Sequence, residues 1–443
     1  MKLTKRLYCI SALILVTGML YSASLDLETE YRFKGISYRN PDYNTGTKDN
    51  ESFYANRLRI LINGSPIENI RIVTRIQALG LAGGTTEYSI IGGTTTTRYP
   101  NTEFEPWIEN AYIQLEKINQ SNFSLILGKQ PFYYGQGLIM ADDQLGFNAI
   151  KMIWAPQPTF SIEAYTAKIN ENRFGDNDLD AYGIITQSKK TQSLWMIGLY
   201  SERDRTGTFI NSSATSFIQK HFLEYYSRKD LKGGFYSINV AVQRGEIDYI
   251  NPLLHDQKYE GDSNFKVQDI FDYLEPYGFL LQGGLNSPGN TITGPVQVHA
   301  AWGLGTGDDA GSLLENEQFL PTLGHRYDGL ERTGFGRFYS ATLYDTYGGL
   351  PAGYSGVQII TLGGTMSPYA RMKIGIDYFL FDSQQTAPGG SKQLGRELDF
   401  TFRYPFSTYV TFNASYALFF PQDGLGKDSA KAEHLTLGIT GQF

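Results

Sequence analysis

Short and long connections alternate along this chain, and few architectures allow that. Between segments of alternating apolar and polar residues, short links fall at 64–69, 118–121, 156–158, 189–191, 229–232, 366–368 and 406–407. Long polar links fall at 40–52, 81–105, 131–147, 169–179, 203–215, 246–276, 307–354, 382–395 and 421–433, with a middling link at 286–293 among the short ones. Barrels that cross a membrane have short turns at one end and long loops at the other. Soluble sandwiches show no such asymmetry.

The segments between the links have the period that a barrel needs. Leu25, Leu27, Thr29, Tyr31 and Phe33 share one face of the first segment, while Asp26, Glu28, Glu30, Arg32 and Lys34 share the other. Leu58, Ile60 and Ile62 oppose Arg57, Arg59 and Asn63; Ile70, Ile72, Thr74, Ile76 and Ala78 oppose Arg71, Arg75 and Gln77. Later, Leu398, Phe400, Phe402 and Tyr404 oppose Glu397, Asp399, Thr401 and Arg403. The last ten residues put Leu435, Leu437, Ile439 and Phe443 on one face and end in an aromatic carboxy-terminus, as outer-membrane barrels do. In a barrel the apolar face meets lipid and the charged face meets a watery lumen.

Helical solutions are excluded. Beyond the amino-terminus no stretch stays apolar for about 18 residues, the length a spanning helix requires. A chain that sits in a membrane without such a helix must close its strands into a barrel, so that every backbone group is paired. The expectation is therefore an all-β fold: a transmembrane antiparallel up-and-down β-barrel of about 18 strands, with 16 also compatible. Its weak segments are 148–155, 277–285 and anything strand-like inside 307–354. Both termini fall on the short-turn side, and the final strand is expected to close on 25–34. A lumen of that size is too wide for side chains to fill and conducts unless loops plug it.

Residues 1–24 read as a secretory signal: Lys2, Lys5 and Arg6 precede an apolar run, and Ser22-Ala23-Ser24 supplies the small residues of a cleavage site. Residues 25–443 then form one barrel domain in the bacterial outer membrane. Cleavage removes Cys9, the single cysteine; it also removes three positive charges and no negative ones, taking the formal charge from −7 to −10. Nucleic acid is an improbable partner for so acidic a chain. The partners expected are outer-membrane lipid, a permeating solute, and the barrel-assembly machinery, which would read Phe443 as its signal.

Enzyme chemistry finds no foothold. His221, His255, His299, His325 and His434 form no metal-ligand spacing. A lipase-type pair would need His221 with Ser216 or Ser227. Asp142-Asp143 and Asp308-Asp309 could bind calcium but read more simply as solvated loop carboxylates. No cofactor or metal is expected. The stronger signal is basic: Arg32, Lys34, Arg57, Arg59, Arg71 and Arg75 should face the lumen on neighbouring strands, where guanidinium groups concentrate anions and hold carboxylates. Arg371 and Lys373 would add to this path from across the barrel. Glu28, Glu30, Asp377, Glu397 and Asp399 would face the lumen as its acidic counterpart. The alternative is a mixed wall whose charges pair across strands. Tyr133, Tyr134 and Phe147 could stack on sugar faces or belong to an interfacial girdle.

Three segments together resemble the alginate-export family of outer-membrane proteins: LILGKQPFYYGQGLI (125–139), AWGLGTGDD (301–309) and LGRELDFTFRYPFSTYVTFNASYALFFP (394–421). The resemblance implies a monomeric barrel of about 18 strands passing an anionic polysaccharide, drawn by a basic constriction and gated by acidic residues and loops. It maps Arg57, Arg59, Arg71, Arg75 and Lys129 as the attracting set. The acidic mature charge departs from a strongly basic pore. A general diffusion porin, and a structural or adhesive barrel plugged by 307–354, are the alternatives.

Overall fold

In a computed structural model the described residues are 24–44, 46–47, 49–82, 105–170, 178–206, 215–249, 271–287, 294–309, 315–321, 323–324, 327–328, 331–369, 371–426 and 429–443. The signal segment before Ser24 and most of the 81–105 link lie outside them. Eighteen strands form the wall: β1 Ser24–Arg39, β2 Asn50–Ile67, β3 Ile70–Ala82, β4 Glu105–Leu115, β5 Phe123–Tyr133, β6 Ala141–Gln157, β7 Phe160–Asn170, β8 Leu179–Lys190 and β9 Ser193–Asp204, then β10 Thr215–Leu231, β11 Gly234–Tyr249, β12 Tyr277–Asn286, β13 Val296–Gly305, β14 Ser355–Met366, β15 Lys373–Gln385, β16 Gln393–Pro405, β17 Val410–Pro421 and β18 Ala432–Gln442. Each pairs antiparallel with the next, and β18 returns to β1. The barrel is closed, which removes every long edge.

The weak segments resolve in favour of 18. Residues 148–155 lie within β6 and 277–285 within β12. A short piece, Phe271–Leu274, continues the place of β12 along β11, interrupted at Glu275 and Pro276, where proline has no N–H for the ladder. Within 307–354 the described strand pieces are only two residues long, so this segment is a loop.

Closure differs from expectation in register. The last strand pairs Glu30↔Gln442 through Arg39↔Glu433, the upper part of β1, and only the carboxy-terminal backbone reaches down to Thr29. Residues 25–28 extend past it. Tilted strands close a barrel only with a stagger, so the first and last strands cannot meet flush.

Burial runs inside out. Ile150, Ile184, Leu199, Leu223, Leu362 and Leu437 stand exposed on the exterior, Leu362 at 60 %. Glu109, Lys220, Glu224, Asn239 and Gln243 are enclosed within the lumen. That is the distribution for a wall with lipid outside and a polar interior.

The lumen also holds an apolar core, built by two inward-folded segments. Phe132 at the end of β5, with Ile139 and Met140 from the β5–β6 connection, packs with Phe319, Phe338, Tyr339 and Leu343 from the β13–β14 connection. The wall makes room with glycine. A Cβ at Gly278 would lie 2.7 Å from the Phe319 ring, and one at Gly303 2.6 Å from Leu343.

Candidate functional site: an occluded lumen

Four neighbouring strands place the basic residues. Inward parity on β1, β2 and β3 brings Arg32 opposite Arg57, and Glu30 opposite Arg59. The patch exists, but carboxylates thread it. Arg57 Nε donates to Glu30 Oε1 at 3.0 Å. Arg59 donates to Gln77 at 2.8 Å and to Glu109 at 3.1 Å, and Arg75 Nε approaches Glu109 at 2.6 Å. Arg71 meets Glu116 at 3.5 Å. Glu109 has no solvent exposure and bridges two arginines. A bulge opposite Arg75 and Ile76 makes both Glu109 and Asn110 buried, breaking the strict alternation by which inward residues are read. For that reason sequence reasoning missed the central acid of its own basic cluster.

Other expected wall residues fall differently. Lys34 lines the lumen. Lys129 does not: it pairs with Ala111 and Asn148 on the outer face, sharing parity with exposed Phe123 and Leu127, and its Nζ donates to the Ile108 carbonyl at 2.8 Å. The alternation of β5 itself requires this; the motif resemblance pointed the other way. Arg371 sits exposed in the turn before β15, off the wall, whereas Lys373 begins that strand opposite Arg403. Glu28 is exposed in the part of β1 beyond the closing strand. Asp377 faces inward and meets His299 Nε2 at 2.6 Å. The aromatic trio divides: Tyr133 is exposed on the outer face, while Tyr134 and Phe147 pack inside. His221, exposed, has Gln219 as its 2.9 Å neighbour. Asp142 accepts the Gly146 N–H, and Asp308 that of Glu317. Phe443 stacks on Tyr409 with ring centroids 5.9 Å apart, and its backbone exchanges two 2.9 Å hydrogen bonds with Thr29.

The two inserted segments are tied to the wall through polar side chains. In the first, Tyr134 donates to Glu163 at 3.0 Å, and Gln136 donates to Gln282 at 2.8 Å and Ser237 at 2.9 Å. Gly135 has φ +57°, with Glu224 and Asn239 filling the place a Cβ would need. The segments meet where Ala141 N donates to Leu323 O at 2.7 Å. In the second, Lys220, paired with Glu202 at 3.0 Å, donates to Leu320 O at 2.9 Å.

Farther along the second segment, backbone N–H groups meet the carboxylates of β16. Arg337 N–H donates to Asp399 at 2.9 Å, Phe338 N–H to Glu397 at 2.7 Å and Tyr339 N–H to Glu397 at 2.9 Å. His434 of β18 contacts the Arg337 carbonyl through Nδ1 at 3.0 Å; a carbonyl only accepts, so Nδ1 carries the proton. The expected inward acids are therefore occupied by the loop. His434 in turn stacks on Tyr38 with ring centroids 4.3 Å apart.

Between this segment and the wall lies a cavity of about 1060 Å³. Lys34, Arg332, Arg337 and His299 contribute its basic lining, Asp377 and Asp399 its acidic lining. Arg332 is braced by Asp345 at 3.0 Å. The Arg337 side chain is exposed in the cavity with no ion pair or hydrogen bond among the described residues. His299 and His434 lie on wall strands, but Arg337 carried no periodic signal, and only the loop's path assembles the three.

A closed 18-stranded antiparallel barrel with an apolar exterior and a polar lumen is an outer-membrane architecture, and this chain is a bacterial outer-membrane β-barrel. Solved porins of that form are similar to it along nearly their whole length. Pseudomonas aeruginosa OccK9 (OpdG) matches with a TM-score of 0.56 at 11% identity, covering 95% of this chain and 98% of that one. Acinetobacter baumannii OccAB2 matches with 0.56 at 12% identity, covering 94% and 98%. P. aeruginosa OpdK, solved with vanillate, matches with 0.53 at 8% identity, covering 94% and 98%. No family model and no curated protein matches the chain. At these identities the likeness is one of fold.

Proposed function

We propose that this barrel is a channel for small polar solutes that favours anions. The observation carrying this reading is the exposed Arg337 guanidinium at the cavity of about 1060 Å³, which has Asp399 as a neighbouring charge but makes no ion pair among the described residues. Arg32, Lys34, Arg57, Arg59, Arg71 and Arg75 extend positive charge along the neighbouring wall, partly offset by Glu30, Glu109 and Glu116. A delocalised guanidinium binds carboxylates in a planar, two-pronged manner. OpdK with vanillate offers a solved precedent of the same fold holding a small carboxylate.

The inserted segments favour small solutes over a uronate polymer. A polysaccharide would have to thread past backbone clasped to the wall. The motifs that resemble the alginate-export family build β5, the first inserted segment, the end of β13 with the residues after it, and the β16–β17 hairpin; they report on architecture, and no observation ties them to a polymer.

Planar-bilayer recording tests the reading. Purified protein should give discrete channels, with a reversal potential under a salt gradient that favours chloride over potassium. Small carboxylates should reduce the current more than neutral sugars do. Reversing Arg57 and Arg59 to glutamate should weaken anion preference. Absence of channels, or indifference of selectivity to those reversals, would overturn it.

A further inference from the structure

We infer that Glu397, Asp399 and His434 form a clasp that fixes the 336–339 segment across the lumen and so positions Arg337 as a selectivity-determining residue. This rests on the anion-favouring reading above.

Four observations converge on one short stretch of backbone. Three consecutive N–H groups, from Arg337 to Tyr339, are taken by two carboxylates two residues apart on β16. The Arg337 carbonyl is held by a histidine two strands away. Gly336 has φ +82°, and a Cβ there would lie 2.5 Å from Glu397 Oε2, so loop and wall fit only with glycine. Phe338 and Tyr339 stack on Phe419 of β17, with centroids 5.3 and 4.6 Å apart, which seals the clasp on its buried side. Glu397 and Asp399 are themselves almost wholly enclosed.

Enclosed carboxyl groups that accept bonds from fixed N–H groups are strong anchors, because leaving either partner unpaired costs its full desolvation. Arg337 is held through its own N–H and carbonyl, so its side chain is directed into the cavity by bonds that do not involve it. Glu397 then affects solutes without touching them; it is a positioning residue.

The sign of one substitution separates this role from a plain wall charge. Glu397 and Asp399 are enclosed side by side, and Glu397→Gln adds no negative charge to the lumen, so a plain wall charge would leave anion preference unchanged or raise it. If Glu397 positions Arg337, the same change loosens the segment, increases conductance and current noise, and lowers anion preference by about two- to threefold, the scale of one displaced charge. Gly336→Ala leaves every charge in place and should do the same. Arg337→Gln should lower preference by a similar factor without added noise, and Glu397→Gln should subtract nothing further in that background.

The measurements are reversal potential and single-channel current in planar bilayers, with heat-modifiable gel mobility to establish that each barrel is folded. Unchanged or raised anion preference in Glu397→Gln, or quiet wild-type current in Gly336→Ala, overturns the clasp. If Glu397→Gln does not fold, Gly336→Ala decides alone. A wild-type channel without anion preference would sink the functional reading instead, while current noise in Gly336→Ala would still report on the clasp.

Discussion

Replacing Glu109 by glutamine should make the lumen more anion-selective. Glu109 is fully enclosed and neutralises Arg59 at 3.1 Å and Arg75 at 2.6 Å. The substitution is nearly isosteric, so it leaves both guanidinium groups in place with one fewer counter-charge. A unit charge acts on an ion roughly 5–10 Å away through water with about 0.4–0.8 kcal/mol, and salt at about 0.1 M screens this to about 0.15–0.5 kcal/mol. An anion gains what a cation loses, so the chloride-to-potassium permeability ratio should rise about two- to fivefold. Breaking a buried pair costs roughly 3–5 kcal/mol. The arginine side chains keep 17% and 22% exposure, so lumen water should reduce that to roughly 1–3 kcal/mol, which should leave the barrel folded. Reversal potentials under a salt gradient measure the ratio. An unchanged or lowered ratio in a folded barrel would refute the argument, because it would mean that Arg59 and Arg75 do not act on the permeating ion.

Burial raises the phenol pKa of the loop residues Tyr43 and Tyr347 above the ordinary value. Their folded state favours the neutral phenol, so their contribution is complete below about pH 10 and is lost as pH rises through the folded values. Tyrosinate absorbance should therefore show a late-titrating fraction, accompanied by rising conductance; a single transition near the ordinary value contradicts this. Gly278→Val drives a side chain into the Phe319 ring and should weaken insertion of that segment by about 1–3 kcal/mol, making the loop accessible to protease in a barrel that still folds; continued protection counts against the packing. Deleting Phe443 removes its stacking on Tyr409 and its exchange with Thr29. Yield of inserted barrel should fall while selectivity of the inserted fraction stays the same, and a selectivity change would implicate the terminus in the pore.

Much of the wall was legible in the sequence. Period-two alternation placed Leu58 outside and Arg59 inside, and the structure agrees, because in a strand the facing of each side chain is a local property. Lys129, assigned to the lumen through the motif resemblance alone, stands on the outer face with Leu127, as the alternation of β5 requires. Where a bulge broke the alternation, at Glu109 and Asn110, local reasoning failed. The closing register also escaped it, since stagger belongs to the whole barrel and to no single strand.

The sequence by itself determined the kind of fold, its strand number within narrow limits, and which charges could reach water. Alternation and link length are written residue by residue, and closure follows from the need to pair every backbone group in lipid. Only the tertiary structure decided what those charges do. Glu397 and Asp399 look like lumen acids in sequence, yet they hold the backbone of 337–339. Arg337, within an aperiodic loop, reaches the cavity because residues more than fifty positions away grip its segment. Such contacts join strands and loops distant in the chain, and no local pattern encodes the path that brings them together.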